Sequence, residues 1–332
     1  MPSLPRIKRP RSRARAEEPV AARREPAELS ANGLVWTHLD APEPEVATEL
    51  AEKIGWHPLD VEDVLSKRQR PKIDEYPEYL FGVLHFPFYD KAVQRLNAAE
   101  LDFFLGQGYL VTLPTVELLP VSRLFQRCVA DPELRENLFS KGSGYLLYHV
   151  LDDLFDYCFP ILDKIGFKLD SIEDDVLEGR SEEAVRDISN AKQEIISYRK
   201  IIKPQRPALR LLERRAERFL PEELELYFDD LVDASERIWD LLDNYKEVVE
   251  ALESTNEQVL SHRFNDVLRI LTVFSIVFLP ATLIASLWGM NVGLPGGGDP
   301  ATASTLEFWI IIAASVALIG GLLGFFRYKR WL

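Results

Sequence analysis

Residues 270–288 read ILTVFSIVFLPATLIASLW, a run without one ionisable side chain. About 20 apolar residues carry a helix across a hydrocarbon core of roughly 30 Å, so this stretch is expected to span a membrane. A second uncharged run, FWIIIAASVALIGGLLGFF at residues 308–326, makes a second expected span. Arg263 and Arg269 precede the first span, and Arg327, Lys329 and Arg330 follow the second. Residues 289–307 between them carry no Lys or Arg. Cationic flanks stay on the cytoplasmic side. Both termini are therefore expected inside, with the connecting loop outside.

Upstream of the first span no helix breaker intervenes between Pro221 and Pro280. Leu231, Ala234, Ile238, Leu241, Tyr245, Val248, Leu252, Thr255 and Val259 recur at three- and four-residue spacing. This coiled-coil-like seam predicts one stalk helix over residues 221–288, its final part (about 268–288) being the first span. A seam needs a partner, and self-association about an axis is the expected consequence.

The rest divides into three parts. Residues 31–130 alternate strand-like segments (34–39, 79–88, 100–105, 108–113) with helical ones (43–54, 58–65), the pattern of an α/β domain. Residues 131–220 read as an acidic helical hairpin region. One helix there is ended by Gly179, and a second runs from Ser181 to about Lys203, where Pro204 and Pro207 interrupt it. Residues 1–30 hold eight Lys/Arg against four Glu and mix Pro with Ala, which reads as a disordered basic tail. They lack the apolar stretch of a signal peptide. Residues 327–332 form a short basic tail.

The chain carries −14 net, so residues 31–332 carry −18 once the +4 of the tail is set aside. So acidic a body argues against nucleic acid as a partner, because that affinity comes from neutralising phosphates. The two cysteines, Cys128 and Cys158, form no Cys-x-x-Cys pair, and the five histidines lack zinc-site spacing. With no Gly-rich phosphate loop and no Ser/His/Asp constellation, an enzyme is not expected.

Function instead concentrates on the first span and its outer end. Thr272, Ser275, Thr282 and Ser286 fall within an arc of about 80° at 100° per residue, and Leu268 and Leu279 share it. Two readings fit this stripe, helix–helix adhesion through hydroxyls or the lining of a pore in a symmetric oligomer. Gly289-Met290-Asn291 follows where the apolar run stops. Carbonyl and amide oxygens there offer neutral acceptors that hold the water shell of a small, hard cation without trapping the ion.

Taken together, these residues resemble the CorA family of divalent-cation channels over about residues 33–332. The soluble part has His57-Pro58-Leu59, Glu62-Asp63 and Gln69-Arg70-Pro71-Lys72. The first span has Phe278-Leu279-Pro280 and then Trp288-Gly289-Met290-Asn291, and the chain ends Lys329-Arg330-Trp331-Leu332. The resemblance implies a homopentameric funnel in the bacterial inner membrane, with a cytosolic α/β domain, stalk helices lining the pore and a second span outside them. Gly289, Met290 and Asn291 would form the selectivity mouth. Asn265, Leu268, Leu271, Ser275, Leu279, Thr282 and Ser286 would line the pore. Asp90 and Asp230 would bind a regulatory cation between subunits. The ion implied is Mg²⁺, with Co²⁺ and Ni²⁺ as surrogates, and no enzymatic cofactor is expected. Two departures stand out. Trp288 replaces the usual Tyr, and the Gly/Pro-rich loop from Val292 to Asp299 is similar to ZntB-type zinc transporters. Zn²⁺ transport, with or without proton coupling, is therefore the alternative. A membrane-anchored coiled-coil scaffold is the alternative of another class.

Overall fold

The computed structural model describes residues 25–66, 69–90, 95–221, 226–288 and 305–329. They form two compact units. One comprises residues up to Ser171 together with Ser189–Val249, the other Ile172–Ile188 with Glu250–Leu332.

The first unit holds a six-stranded sheet of β1 (Ala27–Ala31), β2 (Leu34–His38), β3 (Lys72–Glu75), β4 (Tyr79–Asp90), β5 (Arg95–Gly106) and β6 (Tyr109–Pro114), in the order β1-β2-β6-β5-β4-β3. Every neighbouring pair is antiparallel except β2 with β6. Asn32 and Gly33, at φ 50° and 79°, turn β1 into β2. Two successive positive φ values make the tight hairpin turn that Asn-Gly favours.

Helices α1 (Pro44–Ile54) and α2 (Pro58–Leu65) cover one face of the sheet. Val46, Leu50, Trp56 and Val64 pack there against Phe81, Val83, Phe104 and Val111. Trp56 and Phe104 stack at 3.6 Å between ring centroids. The opposite face buries Leu84, Phe86, Leu101 and Phe103. Helices α3 (Leu119–Ala130), α4 (Pro132–Ser140), α5 (Ser143–Leu177) and α6 (Ser181–Ala216) follow. Phe86 meets Phe155 of α5 edge-on, and Phe125 of α3 does the same to the fully buried Trp36.

Three expectations are corrected. Residues 27–30, read as tail, belong to β1, which pairs along its whole length with β2. Second, α6 does not stop near Lys203 but runs through Pro204 and Pro207 to Ala216. An interior proline costs ~3 kcal/mol, and packing outweighs it. Ile201, Ile202, Leu209 and Leu212 are all buried. Gln205 between the prolines accepts from the backbone N–H of His85 at 3.1 Å, where β4 extends past its edge partner β3.

The third correction concerns the seam. Helix α7 (Leu226–Trp288) is continuous, as expected, but its buried apolar positions along the seam, from Leu231 to Val259, are Leu231, Ala234, Ile238, Leu242, Val249 and Leu252. Leu241, Tyr245 and Val248 are only half-buried and Thr255 is exposed, so after Ile238 burial moves by one residue to Leu242, Val249 and Asn256, while Leu252 stays buried as expected. The partner up to Val249 lies in the same chain. Asp243 of α7 pairs with Arg199 of α6 at 2.5 Å, and Glu236 holds Arg206 and Arg210. The Arg199 guanidinium lies 4.3 Å over the Trp239 ring. Gly166 of α5 admits the Tyr245 hydroxyl where a Cβ would stand 2.8 Å from it. Up to Val249 the seam therefore carries no argument for self-association.

In the second unit α5 ends at the left-handed Gly179 (φ 81°), whose side faces Arg263 of α7. Helix α8 (Thr305–Tyr328) returns beside α7. Phe326, Ile319 and Leu322 pack on Val273 and Val277.

Candidate functional site: the exposed stripe of α7 and the acids of the soluble unit

Among the described residues, α7 is the one helix long and apolar enough to cross a membrane, and α8 carries a shorter apolar stretch, Ile312–Tyr328. Val273 and Val277 are 4% and 2% exposed, which fixes the side of α7 that faces α8. Asn265, Leu268, Leu271, Ser275, Leu279, Thr282 and Ser286 are all exposed in the protomer. At 100° per residue the centre of that stripe lies roughly 170° from the two valines. α8 thus covers one side of α7 and leaves the opposite side, hydroxyls and leucines together, without a partner from this unit.

Three of the hydroxyls are already engaged as donors. Thr272, Ser275 and Thr282 donate to the carbonyls of Leu268, Leu271 and Phe278 at 2.7, 2.9 and 2.8 Å. Such back-bonding satisfies the proton inside the helix. What remains outward is acceptor lone pairs. Gly289, Met290 and Asn291 lie outside the described residues, directly after the last described residue of α7.

The two acids expected to regulate have different surroundings within one protomer. Asp90 ends β4 opposite Arg95 and accepts from Asn97 at 3.4 Å. Asp230 is exposed on the first turns of α7. Its charge acts on Asp152 of α5, a residue the sequence reading did not select. Burial, then the charges of Asp156 and Asp230, push the Asp152 carboxyl up to about 6, although a hydrogen bond from Tyr148 opposes them. Tyr148 in turn packs edge-on against Tyr227 and Phe228, just before Asp230. Carboxylates crowded this way repel one another until a cation joins them. The available signal was Tyr148 at i−4 from Asp152 beneath an aromatic pair, but the partner is 78 residues away and no local pattern connects them.

The motif residues of the soluble part make a separate polar network. His57 caps α2, its Nδ1 accepting from the Leu59 N–H at 3.3 Å, while its own N–H donates to the Tyr79 hydroxyl at 2.8 Å. Lys72 joins Asp63 and Asp74 at 2.6 and 2.5 Å. Deeper on the same sheet face lie Glu100, held by the Gln69 N–H and His85 Nε2, and the fully buried Asp102. Both cysteines are buried free thiols, and burial pushes Cys158 up to about 12, which leaves it inert.

A family model described as the CorA-like Mg²⁺ transporter protein matches residues 31–329. The chain belongs to this family. Its members are transporters rather than enzymes. The chain is similar to the cobalt/magnesium transport protein CorA of Thermotoga maritima, at 28% identity over 297 residues, covering 87% of this chain and 80% of that protein. It is also similar to the zinc transport protein ZntB of Pectobacterium carotovorum, at 20% identity over 299 residues, with 90% and 88% covered. In fold, this CorA-family chain superposes on the complete CorA magnesium transporter of Methanocaldococcus jannaschii with a TM-score of 0.79 at 22% identity, covering 92% of this chain and 94% of that one.

Proposed function

We propose that the protein is a divalent-cation channel of the bacterial inner membrane. Five copies surround one pore, α7 lines it, α8 stands outside, and both termini are cytoplasmic. Mg²⁺ is the preferred ion, with Co²⁺ and Ni²⁺ as surrogates. The observation that carries this reading is the exposed stripe of α7 opposite its α8-packed side. A polar stripe in a membrane is placed toward protein or water rather than lipid. Five such stripes about an axis would alternate leucine rings with hydroxyl rings, giving narrow apolar gates between hydrated segments.

The chemistry suits a hydrated ion. Mg²⁺ sheds water reluctantly, and the waters around it point protons outward. Ser275 and Thr282, their own protons bonded back into the helix, offer acceptors to those waters. At the mouth, the Asn291 amide oxygen and the carbonyls of Gly289 and Met290 would do the same without a charge that holds the ion too long. On the inner side, Asp90 and Asp230 of adjacent subunits would bind regulatory Mg²⁺, with Asp152 beside Asp230. Ion loss would leave these acids repelling and loosen the ring.

Flux into proteoliposomes tests the proposal. Mg²⁺ is expected to enter down an imposed potential, and Asn291→Ala is expected to abolish that flux while leaving the oligomer assembled. Unchanged flux in the variant would favour the membrane-anchored scaffold. A Zn²⁺ transporter is the second reading, favoured by the loop at Val292–Asp299. Zn²⁺ entry driven by a pH gradient, with no Mg²⁺ entry, would establish it.

A further inference from the structure

We propose that Asp60, Asp63 and Asp74 form a divalent-cation site for Mg²⁺ or Mn²⁺ on the α/β unit, in which the Lys72 ammonium now sits as a tethered stand-in for the ion. The proposal concerns binding alone and holds whether or not the chain transports Mg²⁺. It also gives a role to motif residues that the transport reading leaves without one.

The geometry is that of an ion site. One carboxylate oxygen from each of the three residues lies within 4.8 Å of the others. Oxygens at about 2.1 Å from Mg²⁺ in an octahedron stand roughly 3–4.2 Å apart, so a small closure completes the set. The deepest ligand is already oriented. Asp60 is 1% exposed and accepts from the hydroxyls of Tyr76 at 2.8 Å and Tyr79 at 2.7 Å, one on each oxygen. Outer hydrogen bonds of this kind hold metal-binding carboxylates in place and leave a second lone pair on each oxygen. Asp63 and Asp74 meet at the Lys72 Nζ.

A second observation points to missing positive charge at this spot. Asp102 is fully buried, and neither of its oxygens has a hydrogen-bond partner. It feels the charges of Glu100, Asp63 and Lys72, and the register runs Lys72–Val83–Asp102 across three adjacent strands. Burial, then the charges of Glu100 and Asp63, push its carboxyl well above the ordinary carboxylate range, the expected response of a buried acid that lacks a positive partner. One ammonium here serves Asp63 and Asp74 directly and has Asp60 and Asp102 beside it. Exchanging that single charge for a doubly charged ion would supply what the face lacks. Lys72 can leave, because its side chain is 31% exposed on a flexible four-carbon stem. An all-oxygen donor set selects hard ions over those that prefer imidazole or thiolate.

The test uses the full-length protein in detergent, carrying Asp90→Asn, Asp152→Asn and Asp230→Asn to silence the other proposed acids. Amine acylation of Lys72, read by mass spectrometry, is expected to accelerate at least about fivefold in millimolar Mg²⁺, and not in K⁺ of equal ionic strength. Acceleration that is absent, or equal in K⁺, overturns the proposal. By Mn²⁺ EPR titration, Lys72→Met is expected to bind one Mn²⁺ at least about tenfold more tightly by removing the tethered competitor. Adding Asp63→Asn should abolish that gain. A Lys72→Met protein that gains no Mn²⁺ affinity, or that keeps the gain with Asp63→Asn, marks a structural ion pair only. Should Lys72→Met fail to fold, the labelling result decides alone.

Discussion

Replacing Asp152 with Asn isolates the crowding of acids beside Asp230. A carboxyl that titrates near 6 rather than at its ordinary 3.8 is ionised at neutral pH only at a cost. At ~1.36 kcal/mol per tenfold change in proton affinity, that gap is worth about 3 kcal/mol. Asp152 is only half-buried, so solvent screening brings the expected cost down to about 1–2 kcal/mol. The sign follows from proton linkage. The folded chain holds this proton up to about pH 6 and the unfolded chain only to about pH 4, so stability is lost as pH rises through that window. Asp152→Asn is neutral at every pH. It should match the wild type below about pH 4 and exceed it by about 1–2 kcal/mol above about pH 6.

The assay is apparent melting temperature across this pH range, in chelator and then in millimolar Mg²⁺. At roughly 2–4 °C per kcal/mol for a chain of this size, the variant should melt several degrees higher in chelator at neutral pH. Mg²⁺ should then close most of the difference, because a cation that joins Asp152 to Asp230 lowers the cost of ionising the wild-type carboxyl. Equal melting in chelator at neutral pH would refute the crowding. A difference that survives Mg²⁺ undiminished would refute the link between these acids and a bound ion.

Gly82→Ala on β4 would place a Cβ 2.1 Å from Cζ of the buried Phe103 ring, so it should cost about 2–3 kcal/mol, visible as a fall in melting temperature and in folded yield. Val277→Ala would open the contact with Phe326, Ile319 and Leu322. It should cost about 1 kcal/mol, read as lower thermal stability of the detergent-solubilised protein.

Several features were legible locally. The uncharged runs and the unbroken helix leading into the first announce themselves by length and composition, since hydropathy is a property of consecutive residues. The central strands β2, β4 and β6 read correctly because both of their faces are apolar. β1 and β3 did not, for they are edge strands of four or five residues whose sequences, AELSA and KIDE, are half charged or polar. Their pairing comes from neighbours that a local window does not contain. The prolines of α6 and the phase slip in α7 have the same origin. In each case a contact far away in sequence, Gln205 with His85 or Tyr245 with Gly166, decided what propensity left open. Residue types at the site were legible, whereas the grouping of Asp152 with Asp230, and of Asp102 with Lys72, required three dimensions.

The back-bonded hydroxyls also set how strongly each stripe residue affects transport. A serine whose proton goes to its own helix is half satisfied even against lipid, so its presence in the stripe is compatible with adhesion as well as with a pore. Its loss should therefore be mild. Removing Ser275 takes one acceptor per subunit from a position that water can fill, and a water-mediated contact is nearly as good as a direct one. Ser275→Ala is expected to change Mg²⁺ flux by no more than about threefold, roughly 0.7 kcal/mol. The Asn291 amide has no such substitute in the proposed mouth, because an alanine there returns neither the oxygen nor the width it sets. The two variants should separate by at least about a hundredfold in proteoliposome flux. If Ser275→Ala instead abolishes flux, the ion sheds water inside the pore and binds hydroxyl oxygens directly, and selection of the hydrated ion is the wrong mechanism.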